Sequence, residues 1–490
     1  MTFRLSYIVA AGVVLASVLG LAAAPESRAM SAVVGSPVAG GLVGGRAADD
    51  AWTCHVDPAN QFYPAMIIAM ATAKAGDAPE ELSTLPALEL IQKEMLTVER
   101  TLGDPEGWLY VMVKAPKDDT PIKVTIECPD VMEPSTFKGV LKEGGATYGV
   151  GPKVRWKYRE LSRVRQSLPV NVVFKVQLDN GEVEEDVRVC TLHTINDCPY
   201  LHLSEADESG QMTAHNMSFL FAAYVNEDHP WVDQILKQAI ESRTVENFVG
   251  YQAGSVDDVM KQVFAVWNVL QQRGITYSDI SRVSSREGRV PSQHVRFLDE
   301  SFDMKQANCV DGSVLLASVL RKIGIDVFLM LTPKHCYIGF FTDAGREHMV
   351  GLETTMMGRA RKDELERTSN LRSLLGDERT FDQASLESFD GALGAGTKAL
   401  EEDIKKMATG EFMYLQVLIK EAREQGIKAI PYVRPEEKDA LPGLPADLTP
   451  EQREAIERKA EEARQEEVRR QLKDLHIPRD KVRKTPPKDE

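Results

Sequence analysis

The feature that most constrains the fold is the stretch 308–353, in which an apolar helical segment precedes several β-prone runs. Asn308 is a suitable N-cap, and the apolar residues that follow surround the predicted helix until Gly324, which can adopt the left-handed conformation that ends a helix. The β-prone runs are residues 325–331 and 335–342, and a turn at 343–346 leads to a return strand at 349–355. The stretch therefore predicts a buried helix followed by three consecutive strands, of which the last two form a hairpin.

Cys309 lies at the start of this predicted helix. The positive end of the helix dipole favours a thiolate over a thiol at such a position. The backbone N–H groups of a first helical turn have no partners within the helix, so we expect them to help hold an oxyanion. Both properties suit a thiol nucleophile.

A histidine and a carboxylate stand at the ends of the following strands. His335 opens its strand, and the alternation of side chains along a strand places His335 and Cys336 on opposite faces. Cys309 is therefore the better partner for His335, whereas Cys336 is predicted to pack in the core. Glu353 lies near the end of the return strand, where its carboxylate can accept the second imidazole N–H. The predicted catalytic residues are thus Cys309, His335 and Glu353.

In these residues the chain resembles the transglutaminase-like (papain-like fold) superfamily of cysteine enzymes. The resemblance covers about residues 210–375 and is carried by Cys309, the Arg321-Lys322-Ile323-Gly324-Ile325 phrase, His335-Cys336-Tyr337 and Glu353-Thr354-Thr355, with an upstream helix at 263–277. It implies an α+β domain and a Cys–His–acid triad, in which Glu353 replaces the usual aspartate. The side chain that assists the oxyanion in this family stands before the cysteine, and the candidates here are Gln306, Asn308 and Tyr277.

Two other interpretations of the three residues remain open. The chain could retain the fold without activity, in which case it would act as an envelope binding or scaffold protein. A zinc site built from Cys309, His335 and Cys336 is disfavoured, because no CxxC or HxxxH spacing is present and adjacent strand residues diverge. We therefore predict neither a metal nor a cofactor.

The predicted fold class is α+β, with five segments along the chain. These are a signal peptide or anchor at 1–30, a flexible Gly/Ala-rich spacer at 31–50, a β-sandwich domain of immunoglobulin-like size at 51–203, a transglutaminase-like domain at 210–400 and a charged helical extension at 401–490. In the β-sandwich domain the strongest signal is a hairpin, with strands at 170–178 and 183–192 and a turn at Asp179-Asn180-Gly181. In the next domain, the spacing of the apolar residues predicts helices at 218–245 and 256–273.

The N-terminus indicates the compartment. An apolar segment at 5–24, followed by small residues, is typical of a secretory signal peptide, so the protein is predicted to be periplasmic or secreted. The segment is also long enough to span a bilayer, so a membrane contact is expected only if it stays uncleaved. In an oxidising compartment, Cys190 could pair with Cys198 and Cys54 with Cys128, whereas Cys309 must stay unpaired to react.

Charge and chemistry bound the function. The net charge of −16 argues against nucleic acid and against acidic membrane surfaces as partners. The predicted reaction is attack of the Cys309 thiolate on the carbonyl of a peptide or protein amide, with His335 protonating the departing amine. Water as the second nucleophile gives a peptidase or amidase, and a lysine amine gives acyl transfer. In an exported bacterial protein, we favour hydrolysis of peptides or of cell-envelope peptide stems.

Overall fold

The computed structural model describes residues 51–71, 100–104, 107–203, 214–278, 289–358, 381–411 and 413–433. These residues form a mixed α+β structure with several sheets, as the sequence predicts at this coarse level. The predicted signal segment at 1–30, the spacer at 31–50 and the charged segment beyond residue 433 lie outside the described residues.

Two larger sheets form most of the N-terminal half. The first has the order β1-β4-β8-β3, formed by β1 (Trp52–Val56), β4 (Leu109–Lys114), β8 (Thr147–Gly151) and β3 (Thr101–Gly103). The second has the order β2-β11-β10-β5-β7, formed by β2 (Gln61–Phe62), β11 (Val183–Leu192), β10 (Leu168–Leu178), β5 (Thr120–Glu127) and β7 (Ser135–Leu141). A further pair joins β6 (Met132–Glu133) to β9 (Arg155–Trp156), and two short helices are Pro64–Ala69 and Tyr158–Leu161.

The hairpin of β10 and β11 follows the sequence pattern closely. Val170, Val172 and Phe174 are buried on one face of β10, because side chains alternate between the two faces of a strand. Asp179 and Asn180 have φ values of 49° and 54° and are the central residues of a turn in which the Gly181 N–H donates to the Leu178 carbonyl oxygen at 2.8 Å. A turn of type I′ requires positive φ at both central positions. The two predicted strands and the predicted turn are therefore confirmed at this hairpin.

The second half of the described chain is mainly helical around one four-stranded sheet. Its helices are Pro230–Glu241, Val256–Gln272, Leu298–Met304, Cys309–Lys322, Gln383–Ala408 and Ile419–Glu424, with 3-10 turns at Ser218–Tyr224, Gly250–Ala253 and Thr354–Met356. The short paired strands are β12 (Asp197–Pro199) with β16 (Ser292–His294), β13 (Leu201–Leu203) with β14 (Ala214–Asn216), and β15 (Thr276–Tyr277) with β17 (Gln306–Ala307). The predicted helix over 218–245 is divided, because Pro230 starts a new helix at a position where its missing N–H costs nothing.

The four-stranded sheet, here called the histidine sheet, has the order β20-β19-β18-β21. Its strands are β18 (Val327–Thr332), β19 (His335–Phe341), β20 (Met349–Leu352) and β21 (Leu415–Leu418), and all neighbours are antiparallel. The helix Cys309–Lys322, here called the cysteine helix, packs against β18 and β19. This packing brings the start of the cysteine helix to the end of the sheet where β19 begins.

The C-terminal boundary of this half differs from the predicted one at residues 400/401. Residue 401 lies inside the helix Gln383–Ala408, and β21 pairs with β18 in the histidine sheet. The Ile430 N–H donates to the Ala223 carbonyl oxygen, and Lys428 N–H to that of Ala69. Residues 401–433 therefore belong with the sheet that carries His335, because they supply one of its strands.

All six cysteines are free thiols. The predicted Cys190–Cys198 and Cys54–Cys128 bridges are not formed. All the cysteines except Cys309 are buried, so Cys309 is the thiol that solvent reaches most readily.

Candidate functional site

Cys309 is the first residue of the cysteine helix. The Asn308 side-chain oxygen accepts hydrogen bonds from the backbone N–H groups of Val310 and Asp311, each at 2.9 Å. In return, the Asp311 carboxylate accepts from the Asn308 N–H at 3.0 Å, which completes a capping box. The cap fixes where the helix begins and leaves the Cys309 side chain half-buried, at the boundary between core and solvent.

A buried ion pair supports this helix start. Arg296 donates its backbone N–H to Asp311 Oδ1 and its Nη1 to Asp311 Oδ2, both at 2.8 Å. Asp311 is only 1% exposed, and its burial raises the pKa of the carboxyl, although the hydrogen bonds from Arg296 and Asn308 oppose this. No local sequence pattern links Arg296 to Asp311. The available signal was an acidic residue at the third position of an otherwise apolar helix.

The expectation that the first-turn N–H groups are free to hold an oxyanion is wrong for most of the turn. The N–H groups of Val310 and Asp311 donate to the Asn308 side chain, and the Gly312 N–H donates to the Asn308 carbonyl oxygen at 3.0 Å. Capping by Asn308 does not engage the Cys309 N–H. The backbone contribution to an oxyanion site is therefore reduced to the amide of the cysteine itself.

His335 and Glu353 meet at the end of the histidine sheet. His335 is the first residue of β19, and Glu353 follows the last residue of β20. The two ends adjoin because Ile338 pairs with Leu352, and His335 Nε2 lies 2.6 Å from Glu353 Oε2. The return strand is shorter than predicted, since Glu353 caps the 3-10 turn that follows it.

The protonation of His335 reflects three influences. Burial lowers its pKa, but hydrogen bonds with the Cys309 thiol and the Glu353 carboxylate, together with their charges, raise the pKa of His335 to about 10. For Glu353, burial raises the pKa, but the bonds from His335 and Thr355 outweigh it, and the net pKa is lowered. Because Glu353 bonds to His335 Nε2, Nδ1 is the nitrogen of the His335 ring that is available to the Cys309 thiol. The arrangement favours an imidazolium between two acidic groups.

The second oxygen of Glu353 is held by Thr355. Glu353 Oε1 accepts from the Thr355 N–H at 3.0 Å and from the Thr355 hydroxyl at 2.7 Å. The carboxylate therefore has three donors, one on Oε2 and two on Oε1. This anchoring shows how the longer glutamate side chain is oriented toward His335.

The main chain at Cys309 is tied to the segment that carries Glu353. The Cys309 carbonyl oxygen accepts from the Ser313 hydroxyl at 2.7 Å and from the Thr354 hydroxyl at 3.3 Å. Gly312 packs closely on Thr354, because a Cβ at Gly312 would lie 3.1 Å from the Thr354 Cβ. The position of Cys309 and the position of Glu353 are thus coupled through Ser313, Gly312 and Thr354.

Strand alternation separates the neighbours of His335 as expected. Cys336 is 1% exposed and packs in the main core, where burial raises its pKa well above the ordinary value. Tyr337 points to the opposite face and donates its hydroxyl to Asp403 Oδ2 at 3.1 Å. The prediction that Cys336 is a packing residue is confirmed by its burial.

The three oxyanion candidates lie in different settings. Asn308 is buried, and its side-chain oxygen is engaged by the helix cap. Gln306 and Tyr277 are half-buried and lie on the parallel strands β17 and β15, which align Tyr277 with Ala307. Gln306 and Tyr277 therefore stay candidates, because β17 ends two residues before Cys309 and β15 pairs with β17.

The described part of the chain contains no group of three or more His, Cys, Asp or Glu side chains that could hold a metal ion. Among the same residues, no helix has the length and apolar character needed to cross a membrane.

The sequence matches no protein-family model, and no curated protein shows significant similarity to it. The site is therefore interpreted from its own geometry.

Proposed function

We propose that this protein carries out cysteine-dependent amide chemistry on a peptide or protein through Cys309, His335 and Glu353. In this proposal, the described residues between 214 and 433 belong to a transglutaminase-like (papain-like) domain, and the two larger N-terminal sheets form a β-sandwich of immunoglobulin-like size. The observation that carries the proposal is the imidazole of His335, whose Nε2 lies 2.6 Å from Glu353 Oε2 and whose pKa is raised by both the neighbouring Cys309 thiol and Glu353. A thiol, a base and a group that orients the base are the parts that nucleophilic thiol catalysis needs.

The first half-reaction forms a thioester. His335, whose pKa is raised, holds the proton given up by Cys309, and the sulfur attacks the amide carbonyl carbon, whose oxygen becomes an oxyanion beside the Cys309 N–H. The imidazolium then gives its proton to the amide nitrogen, the C–N bond breaks and the amine departs. Glu353 stays ionised throughout and stabilises the imidazolium.

The second half-reaction depends on the acceptor. When water attacks the thioester, His335 takes its proton, a carboxylic acid is released and the thiol is restored, which is peptidase or amidase activity. When a primary amine attacks, a new amide forms, which is acyl transfer. We favour hydrolysis of peptides or of cell-envelope peptide stems, in a periplasmic or secreted protein, because the N-terminal segment has the pattern of an export signal.

Alkylation tests the nucleophile directly. An ordinary thiol with a pKa near 8.5 is only about 1% thiolate at pH 6.5, so it reacts slowly with iodoacetamide. We expect Cys309 to react roughly tenfold faster than free cysteine at this pH. Mass spectrometry of the labelled peptides separates Cys309 from the five buried thiols, and Cys309→Ala serves as the blank. A Cys309 that reacts no faster than free cysteine would refute the activated nucleophile.

Turnover tests the reaction. The purified protein is incubated with a peptide library and with peptidoglycan stem peptides, with and without a primary amine such as cadaverine. Cleavage products indicate hydrolysis, and products that carry cadaverine indicate acyl transfer. Turnover that persists unchanged in Cys309→Ala contradicts the proposal, whereas a reactive Cys309 without turnover of any peptide supports the inactive scaffold instead.

A further inference from the structure

We infer that Thr355 is a positioning residue of this site, whose hydroxyl holds one oxygen of Glu353 so that the other oxygen faces His335 Nε2. The inference rests on the proposed function, because it concerns how the base of that reaction is oriented. It goes further by assigning a role to a side chain that touches neither the thiol nor the imidazole.

The contacts around Glu353 divide between its two oxygens. Oε2 lies 2.6 Å from His335 Nε2, and Oε1 accepts from the Thr355 hydroxyl at 2.7 Å and from the Thr355 N–H at 3.0 Å. The N–H belongs to the 3-10 turn Thr354–Met356 and would be present with any residue except proline. The hydroxyl is the one contact on Oε1 that depends on the identity of residue 355.

A glutamate needs such a contact more than an aspartate does. Its side chain has one more rotatable bond, and the freedom of that bond must be removed to hold the carboxylate in one orientation. The Glu353 side chain is 14% exposed, so burial limits the space but does not by itself select which oxygen faces the imidazole. Two donors from one residue on the same oxygen select the rotation of the carboxylate about its last bond.

The same contact acts on charge. Hydrogen bonds that a carboxylate accepts favour its ionised form, and both bonds from Thr355 lower the pKa of Glu353. An ionised Glu353 in turn raises the pKa of His335. Removal of the hydroxyl should therefore affect Cys309 in two steps. The Glu353 carboxylate is held less firmly, and as a result the pKa of the His335 imidazole falls.

Three variants isolate the hydroxyl. Thr355→Val removes it and keeps the β-branched shape, and Thr355→Ser restores it without the methyl group. Thr397→Val is the matched control, because the Thr397 hydroxyl donates at 3.3 Å to the carbonyl oxygen of Gly351 in β20 and not to the Glu353 carboxylate. Circular dichroism checks that each variant is folded, and if Thr355→Val does not fold, Thr355→Ala takes its place.

The first readout is the His335 titration, followed by NMR of histidine-labelled full-length protein. We expect Thr355→Val to lower the His335 pKa by roughly one unit and Thr355→Ser to restore it. The second readout is the iodoacetamide rate of Cys309 at pH 6.5, for which we expect a loss of roughly 3- to 10-fold in Thr355→Val, the factor that one hydrogen bond is worth. Thr397→Val should match the wild type in both.

The outcomes distinguish this inference from the proposed function. A wild-type Cys309 that reacts like an ordinary thiol rejects the proposed function, whereas the NMR titration still reports on Thr355. A Thr355→Val protein that matches the wild type in both readouts overturns the inference and leaves the proposed function standing. Equal losses in Thr355→Val and Thr355→Ser also overturn it, because they show that the site responds to any change of shape at residue 355 and not to loss of the hydroxyl.

Discussion

Two clusters in this molecule each place a thiol beside a cationic group and a carboxylate. In the N-terminal half, Arg188 Nε donates to Cys54 Sγ at 2.9 Å, and the Cys54 thiol donates to Asp186 Oδ2 at 3.2 Å. In the second half, the Cys309 thiol helps to raise the pKa of the neighbouring His335, and His335 Nε2 lies 2.6 Å from Glu353 Oε2. The clusters have similar charges but different chemical capacities.

The two clusters differ in the access of solvent to the thiol and in the ability of the cationic group to exchange a proton. Burial raises the pKa of Cys54 to about 11, and it outweighs the opposing bond from Arg188. A guanidinium stays protonated at any pH at which the protein is folded, so Arg188 cannot serve as a base. His335 can both accept and return a proton, and Cys309 is half-buried, whereas Cys54 is buried. A charged neighbour alone therefore does not make a thiol a nucleophile.

The largest expected effect is the difference in amide turnover between substitutions of the two thiols, Cys309 and Cys54. Cys309→Ala should reduce amide turnover by roughly 10³-fold or more, because the covalent step is lost. Cys54→Ala should leave turnover within about twofold, since the Cys54 thiol is buried and its hydrogen bonds are to Arg188 and Asp186. Steady-state kinetics with the best library peptide measures both. Comparable losses in the two variants would show that the N-terminal cluster takes part in the reaction.

The second prediction compares the carboxylates as structural groups. Asp311→Asn removes the negative charge that neutralises Arg296 beneath the helix start, and breaking a buried pair costs about 3 kcal/mol of unfolding free energy. Asp186→Asn should cost about 1 kcal/mol or less, because the Arg188 and Asp186 side chains keep some exposure to solvent. Urea denaturation of the two variants measures the difference. Equal costs would contradict the special role of Asp311 in fixing the helix that bears Cys309.

The third prediction concerns the group behind the base. Glu353→Gln keeps the shape of the side chain but removes the charge that helps raise the His335 pKa, so kcat should fall by roughly 10- to 100-fold with a smaller change in KM. The matching variant in the N-terminal cluster, Asp186→Asn, should leave kcat unchanged. An unaltered kcat in Glu353→Gln would show that Glu353 does not support the imidazole.

The sequence sufficed for the parts of this site that depend on neighbouring residues. Asn308 and the apolar run after it predict the start of the cysteine helix, because capping and periodicity are local properties. The alternation of β19 likewise separates His335 from Cys336. The hairpin at Asp179-Asn180-Gly181 was equally readable, because few residues besides Asn, Asp and Gly tolerate its backbone conformation.

The remaining parts depend on residues that are distant along the chain or on hydrogen bonds between side chains. Arg296 and Asp311 are separated by 15 positions, and no local pattern links them. The strand β21 joins the histidine sheet from more than 80 residues beyond β18, which a boundary drawn from charge composition does not reveal. The role of Thr355 follows only from the orientation of the Glu353 side chain, which no spacing rule gives.

The smallest expected effect is a difference between the two clusters in the pH range over which each changes the unfolding free energy of the protein. The folded-state pKa of His335, about 10, exceeds its ordinary value of 6.5, so its stabilisation is complete below pH 6.5 and is lost as the pH rises toward 10. The pKa of Glu353 is lowered from 4.5, so its contribution is present above pH 4.5 and is lost on further acidification. The pair therefore stabilises the fold most between pH 4.5 and 6.5.

The pH dependence of the unfolding free energy in two variants tests this pH range. The unfolding free energy of the wild type should exceed that of Glu353→Gln by about 1–2 kcal/mol near pH 6, and the difference should shrink between pH 6.5 and 10. For Cys54, the pKa is raised from 9.0 to about 11, so the difference between the wild type and Cys54→Ala should stay constant up to about pH 9 and change only above it. Denaturation at several pH values gives both curves. If the stability difference for Glu353→Gln and the one for Cys54→Ala change over the same pH range, the imidazole of His335 is not held as an ion between Cys309 and Glu353. The two clusters would then not differ in the way proposed.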